Sequence, residues 1–491
     1  MTVVTLNRGA ITVTDATGTL KERLTYWKRE LTYDRKRHMR TVEGHYENLF
    51  SEAGNILTTL PGFGHRILET LRKKGTPFSV VDSRLPLPKP DYEKACKGLR
   101  DYQLEPVIQS VMSGGGILSA ATGFGKTVMT SAIIRAFDPE ELKLRGTPTV
   151  VFAAPDKDIN RKNYEELKRF LPDREVGLVM SGVKKFSDDV QVITLDSLHL
   201  LNPDEVGILI VDEVHSAAST SRAEAISKFH KAARWGVSAT PGGRFDGGDL
   251  LLEGLFGPVV CRRTYQDAVR LGALVPIEVY WIKAPPPASL ATYKSYKNRD
   301  YKIKAAIVNN KEYSRLVADL IRAIPESKSV LCFTQWIAQM ANIHAFCPEV
   351  SYVHAQTSEG VGSIEPISSK QRKEIYARMK DGELRKMLAT HCWKQGVDFE
   401  GLDIVINASG GGSDISSKQI PGRASRKADG KDKAYMVDFI HEWDWDETGT
   451  KRKPGPLLSS DYSRRKSYKE LGFEQHFVDS INELPFLKEK R

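Results

Sequence analysis

Short apolar runs recur along this chain at intervals that leave room for a helix between them, and that rhythm constrains the fold more than any other feature. GGILSA (115–120), TVVFAAP (149–155), VQVITLD (190–196), VGILIVDE (206–213) and RWGVSAT (234–240) form one series. SVLCFTQ (329–335), VSYVHAQ (350–356), KMLATHC (386–392), LDIVINAS (402–409) and AYMVDFI (434–440) form a second. Runs that are apolar at consecutive rather than alternate positions suit strands covered on both faces. Helical patterns such as KTVMTSAIIRAF and NYEELKRFL separate them. Repeated strand and helix in this order predicts α/β architecture, with two tandem parallel-sheet domains.

The segments outside the two series read differently. MTVVTLNRGAITVTD alternates like a strand, and KERLTYWKRELTYDRKRHMR (21–40), with eight Lys/Arg against three Asp/Glu, reads as part of a long polar, basic helix. ILTTLPGFGHRILETLRKKG (56–75) reads as a second helix and FSVVD as a short strand, which makes residues 1–90 a small α+β N-terminal domain. Pro86, Pro88 and Pro90 then mark a linker. The expected domains are 1–90, an accessory and DNA-binding unit; 91–275; 276–445, with a basic, aromatic insert near 290–305; and a charged, less regular C-terminal extension, 446–491. At 491 residues, three domains accord with about 150 residues per domain.

Composition narrows the class. With 40% hydrophobic and 27% charged residues the chain is that of a folded globular protein, and it holds no apolar run long enough to cross a membrane. Its first residues lack the positive-then-apolar order of a signal peptide. Cys96, Cys261, Cys332, Cys347 and Cys392 are scattered, odd in number and without a CxxC pair, which points to reduced thiols in a cytoplasmic protein. A formal charge of +10 and a pI near 9.1 favour polyanionic partners.

Between the first strand and the helix after it stands SAATGFGKTVMTSAI (119–133). The strict pattern GxxxxGK[ST] fails only at Ala120; Thr122, Gly123, Gly125, Lys126 and Thr127 keep the rest. In that context backbone N–H groups cradle phosphates, Lys126 reaches the β and γ oxygens of ATP, and the Thr127 hydroxyl ligates Mg²⁺. VGILIVDE supplies the second centre 86 residues further on: Asp212 to hold Mg²⁺ through water, and Glu213 to orient or deprotonate the attacking water. A kinase, a GTPase, a transporter motor and a nucleic-acid motor all use such a pair.

Asp212-Glu213-Val214-His215 resembles the DExH box of superfamily 2 helicases, whose first motif has the form AxxGxGKT and so accounts for Ala120. Further motifs follow in the family's order across 99–426. The resemblance implies two RecA-like domains and gives the residues roles. Gln103 in LRDYQ reads adenine. Pro155 and Thr194, the latter in TLDSL, touch the nucleic-acid backbone, as does Thr390. Ser238 and Thr240 in SAT couple hydrolysis to strand movement, and His215 links the nucleotide to Gln419 or Thr240. Gln419-Ile420-Pro421-Gly422-Arg423-Ala424-Ser425-Arg426 matches QxxGRxxR, which makes Arg426 the arginine finger and Arg423 a γ-phosphate contact. Asp398 lies near the ribose or Gln419. Trp393 and Lys394 depart from the family's usual residues in that loop.

Arg244-Phe245-Asp246 resembles the Arg-x-Asp element of the repair and recombination branch, XPB-like, and the N-terminal segment resembles the small domain of phage branch-migration helicases of the UvsW type. The insert YKSYKNRDYKIK (293–304) sits where that branch carries a thumb, which makes Tyr293, Tyr296 and Tyr301 candidate base-stacking or wedge residues. The expected function is that of an ATP- and Mg²⁺-dependent DNA helicase or translocase. It would remodel branched or duplex DNA without sequence preference, with single-stranded DNA a further partner, in a phage-encoded protein of the host cytoplasm. An RNA helicase, a motor subunit of a restriction or nuclease complex, and a silent nucleic-acid clamp are the other readings.

Overall fold

The structure, a computed structural model, describes the chain apart from residues 35–38, 240, 241, 243–245, 357, 358, 391–398, 400, 412–421, 423, 429, 449, 450 and 489–491, and apart from the side chains of 31–34, 39–41, 447, 448, 451 and 452. It divides into two compact units, Met1–Thr264 and Tyr265–Arg491. Among the described residues no helix is long and apolar enough to cross a membrane.

The first unit opens with strands β1 (Thr2–Leu6) and β2 (Ile11–Thr14), then β3 (Thr25–Asp34) and β4 (Met39–Asn48), then β5 (Phe50–Ala53), β6 (Ile56–Thr59) and β7 (Phe78–Asp82). A five-stranded sheet in the order β5-β6-β2-β1-β7 buries Val4, Ile11, Val13 and Leu57 against Phe63, Ile67 and Leu71. Residues 21–40 do not form the expected helix. A helix covers only Gly18–Arg23, and β3 and β4 pair as a separate antiparallel ribbon ten residues long. The reason lies in TYWKRELTYD, where aromatic and β-branched residues outnumber good helix formers and a period of two outweighs the charge count. The expected second helix likewise splits. Ile56–Thr59 joins the sheet, Pro61–Phe63 makes one 3₁₀ turn, and the helix begins at Gly64, because Pro61 suits a helix start and not its interior.

The rest of this unit follows the predicted alternation. Strands β8 (Gly116–Ala120), β9 (Thr149–Ala154), β10 (Val176–Met180), β11 (Val183–Lys185), β12 (Val190–Thr194), β13 (Val206–Asp212), β14 (Ala233–Ser238) and β15 (Val259–Arg263) form one sheet in the order β11-β10-β12-β9-β13-β14-β8-β15. All neighbours are parallel except β10 and β11. Residues on β9, β13 and β14 are buried at every position, as strands covered on both faces require.

The second unit holds β16 (Ile277–Lys283), β17 (Val330–Phe333), β18 (Ser351–Val353), β19 (Lys386–Ala389), β20 (Ile404–Asn407) and β21 (Ala434–Ile440), a short hairpin of β22 (Trp445–Thr448) and β23 (Lys451–Pro454), and β24 (Glu474–Val478). Its seven-stranded sheet runs β18-β19-β17-β20-β21-β16-β24 and is parallel throughout. The C-terminal segment is regular, contrary to expectation. It makes the hairpin, a 16-residue helix Pro456–Leu471 that begins on proline and ends on Gly472 in the left-handed region, and an edge strand paired with β16. The insert is helical over Leu290–Ser295 and Arg299–Ile303. Tyr293 is buried there, its hydroxyl donating to Asp444 Oδ1 at 2.7 Å, so it is a core residue and no wedge. Tyr301 remains exposed.

Candidate nucleotide site on the first parallel sheet

The carboxyl edge of the eight-stranded sheet gathers the residues that the sequence singled out. Along β12-β9-β13-β14-β8 the strand ends place Thr194, Ala154 with Pro155, Asp212, Ser238 and Ala120 in adjacent positions. In open parallel sheets this edge is where ligands bind, because crossover loops leave a crevice there.

At the β8 end the chain turns through Ala121–Gly125 into the helix Lys126–Arg135. Gly123 and Gly125 have φ of +89° and +86°, and a Cβ on Gly125 would stand 2.4 Å from Gln103 Nε2, so only glycine fits. Among the described residues no side chain caps the helix start, which leaves its first N–H groups for an anion. Lys126 and Thr127 open that helix, and Thr122 lies half-buried in the loop. Gln103 is buried. Its Oε1 accepts the Arg100 N–H at 3.1 Å and its Nε2 donates to the Phe124 carbonyl at 3.2 Å, so this side chain ties its helix to the loop.

Asp212 ends β13, buried beside the loop's helix. Burial raises its carboxyl above the usual range and the Glu213 charge adds to this, while Lys126 and hydrogen bonds from the Glu213 N–H (2.9 Å) and Asn163 Nδ2 (3.3 Å) favour the ionised form. A divalent cation would favour that form further, and the Asp212 carboxylate, the Thr127 hydroxyl and an anion-ready helix start suit a magnesium nucleotide. Glu213 adopts φ +48°, ψ +51°, a left-handed conformation that costs a non-glycine residue about 1 kcal/mol or more and is held here by its surroundings. This turn brings Glu213 Oε2 to 3.4 Å from both Ser238 Oγ and His215 Nδ1, with His215 Nδ1 3.1 Å from Ser238 Oγ. The DExH segment and the serine 25 residues later are thus one hydrogen-bonded cluster.

Thr194 and Pro155 lie beside each other at the next strand ends, Thr194 Oγ1 donating to Ser197 Oγ at 2.8 Å. Thr240, Arg244, Asp398, Gln419 and Arg423 lie outside the described residues. In the second unit Thr390 follows β19 and its N–H donates to the Val353 carbonyl at 3.2 Å, while Arg426 forms an antiparallel bridge with Leu274. Two residues escaped the sequence reading. Asn163, buried on the helix Lys157–Phe170, holds Asp212, and Arg222 clamps Asp196 of TLDSL through two N–H donors at 2.8 and 3.1 Å. Asn163 carried only one signal, a polar residue on the buried face of a helix.

Two family models match the chain: "Type III restriction enzyme, res subunit" over residues 97–243 and "Helicase conserved C-terminal domain" over 313–428. It is 25% identical over 370 residues to putative helicase 22 of Sulfolobus islandicus filamentous virus, covering 70% of this chain and 65% of that one. It therefore spans just under two thirds of the viral relative's length. It is 24% identical over 396 residues to the DNA 3'-5' translocase XPB2 of Sulfurisphaera tokodaii, covering 74% and 85%. A fragment of a putative HsdR subunit of a type I restriction enzyme from Vibrio vulnificus YJ016 shares the fold, with a TM-score of 0.56 at 16% identity over 93% of this chain and 80% of that one.

Proposed function

Because this chain belongs to superfamily 2 of the helicases, we propose that it hydrolyses ATP at the first parallel sheet and uses the turnover to move along DNA as a translocase that remodels branched or duplex substrates. The observation that carries this reading is the Glu213–His215–Ser238 cluster beside an uncapped, glycine-bounded helix start. It puts a carboxylate able to accept a proton from water next to a phosphate cradle, and joins both to a segment that leads away from the nucleotide.

Bound ATP supplies the phosphoanhydride, and Mg²⁺ neutralises its charge. The protein's part is positioning. N–H groups of residues 123–127 and the Lys126 ammonium would hold the β and γ oxygens, Thr127 and Asp212 would hold the metal, and Asn163 keeps Asp212 oriented. Glu213 takes the proton from the attacking water. His215 and Ser238 report the state of Glu213 to residues 239–247, including Thr240 and Arg244. Gln103, Thr122 and Asp398 contact the nucleoside and loop, Arg423 and Arg426 supply the cations that the transferred phosphoryl group requires, and Gln419 adds a neutral hydrogen-bonding amide. Pro155, Thr194 and Thr390 touch phosphates of the tracked strand, so binding is sequence-tolerant and weakens with salt. That the track is DNA rests on the Sulfurisphaera tokodaii relative, named as a DNA translocase, and on Arg244-x-Asp246.

The test is ATP turnover by the wild type and Lys126→Ala with no polymer, single-stranded DNA, duplex, a four-way junction and RNA. Stimulation by DNA, greatest on the junction and absent from the variant, is the expected result. Stimulation by RNA alone would overturn the DNA assignment, and no turnover on any polymer would overturn the motor.

A further inference from the structure

The ribbon of β3 and β4 sorts its side chains by chemistry. Its register pairs Trp27 with Tyr46 and Arg29 with Gly44, and between these rows pairs Tyr26 with Glu47, Lys28 with His45 and Glu30 with Glu43. Neighbours along a strand point to opposite faces. Trp27, Arg29, Val42, Gly44 and Tyr46 therefore share one face, and Glu30, Glu43 and Glu47 the other. On the acidic face one cation serves two of the three carboxylates: Lys28 Nζ lies 2.7 Å from Glu47 and 3.5 Å from Glu30. Among residues 25–30 and 42–48 the opposite face carries no carboxylate.

That second face is built as a platform. The Trp27 indole lies across Gly44, where a Cβ would come within 2.5 Å of the ring, and a glycine inside a strand is explained by such a close approach. Tyr46 packs edge-on against the indole, centroids 4.9 Å apart at 72°. The platform is open to solvent: Trp27 is 45%, Val42 55% and Tyr46 74% exposed. It is also tied to the motor sheet's unit. The Arg29 N–H donates to the Asp246 carbonyl at 3.2 Å, and a Cβ on Gly247 would lie 2.6 Å from the Trp27 carbonyl. Asp246 stands eight residues beyond Ser238.

We infer that this face binds single-stranded nucleic acid by stacking unpaired bases on Tyr46 and Trp27. Charge favours a polyanion. The face carries no carboxylate among residues 25–30 and 42–48, and the chain as a whole has a formal charge of +10. The rings select unpaired bases, because a base inside a duplex has its faces covered by its neighbours, and stacking of this kind is indifferent to sequence. The identity of the polymer rests on the function proposed above; the platform itself rests on the ribbon. Through Asp246, occupancy of the platform reaches the segment that leaves the coupling serine.

Binding of a labelled oligo(dT) 20-mer and of a blunt duplex of equal length to the full chain tests this, without ATP, for wild type, Tyr46→Ala, Trp27→Ala with Tyr46→Ala, and Trp27→Phe with Tyr46→Phe. The oligo(dT) affinity is expected to fall about tenfold for each ring lost. Duplex affinity and polymer-free ATP turnover should stay at the wild-type level, and the double phenylalanine variant should retain most of the binding. Unchanged oligo(dT) binding, or an equal loss on duplex and single strand, would overturn the inference. So would wild-type self-association in sedimentation that the alanines abolish, since the face would then join two copies of this chain. Tyr46→Ala alone, at an exposed position, decides the matter if the double variant fails to fold. Ring-dependent oligo(dT) binding by a chain without ATP turnover would sink the motor reading and leave the platform standing.

Discussion

Arg464 grips Asp438 with two parallel donors, Nε to Oδ2 and Nη2 to Oδ1, each at 2.9 Å, and both side chains are buried. The same guanidinium reaches Asp461 Oδ1 at 2.9 Å and, through Nη1, the Gly411 carbonyl at 2.9 Å. Asp438 also accepts from the Tyr468 hydroxyl at 2.8 Å and from Asn407 Nδ2 at 3.0 Å. One cation from the C-terminal helix thus satisfies two buried carboxylates of the second unit, Asp438 on β21 and Asp461 one turn earlier on its own helix.

Removing that cation leaves Asp438 without a counter-charge and Asp461 with His441 alone, so Arg464→Met is expected to destabilise the second unit by about 3–5 kcal/mol. Tyr468→Phe removes one donor from an otherwise satisfied carboxylate and should lose about 1 kcal/mol. Urea unfolding of the full chain compares the two. Equal small losses would mean that the carboxylates find other partners.

Within the first unit, Arg66 forks onto Glu253 at 2.7 and 2.5 Å, joining the helix Gly64–Lys73 to the helix Asp249–Phe256. Burial would push the Glu253 carboxyl up, but hydrogen bonds from His65 and Arg66 and the Arg66 charge outweigh it and hold the group at about 2. A depressed folded-state value means that the contribution is whole above the ordinary carboxylate range and disappears as pH falls through about 2. Glu253→Gln should therefore be less stable than wild type by about 1–2 kcal/mol at pH 7, after allowance for solvent screening. The two should converge as the pH of thermal melts is lowered from 5 towards 2.

Gly125→Ala combines a left-handed backbone, worth about 1–2 kcal/mol, with a contact of 2.4 Å to Gln103 Nε2. The Gln103 amide or the loop must shift to accept the methyl group, which loosens the tie between them. Titration with a fluorescent ATP analogue should show affinity lower by about tenfold or more, with the melting temperature of the second unit unchanged.

Glu213→Gln keeps the side chain's size and removes its basicity, so ATP turnover should drop about 10²-fold or more while nucleotide affinity holds. Ser238→Ala breaks the contacts to His215 and Glu213 without touching the phosphate loop. Polymer-free turnover should survive in that variant and its stimulation by DNA should fall. Equal loss of both in the serine variant would place Ser238 in the chemistry itself.

The glycine-rich loop, the acidic strand end and the parallel sheets were legible because each depends on residues close in sequence. Consecutive apolar runs declare buried strands, and Gly123 to Thr127 declare the loop. The errors have a common origin. Residues 21–40 carry a charge pattern that a ribbon and a helix present equally well, and TYWKREL settles the matter only once β4 supplies its partner. The segment after 441 showed no pattern because its helix buries Asp461 and Arg464, polar residues that only a partner makes tolerable in a core.

By itself the sequence determined the two α/β units, the glycine-rich turn into the helix that begins at Lys126 and the acidic end of β13, since local spacing and strand periodicity suffice for those. Only the tertiary structure decided that Asn163 orients Asp212, that Glu213 turns left-handed onto His215 and Ser238, and that Trp27 and Tyr46 share an acid-free face anchored at Asp246. These are contacts between residues distant in the chain. Their geometry is set by which strands pair and in what register, and no short stretch of sequence contains that information.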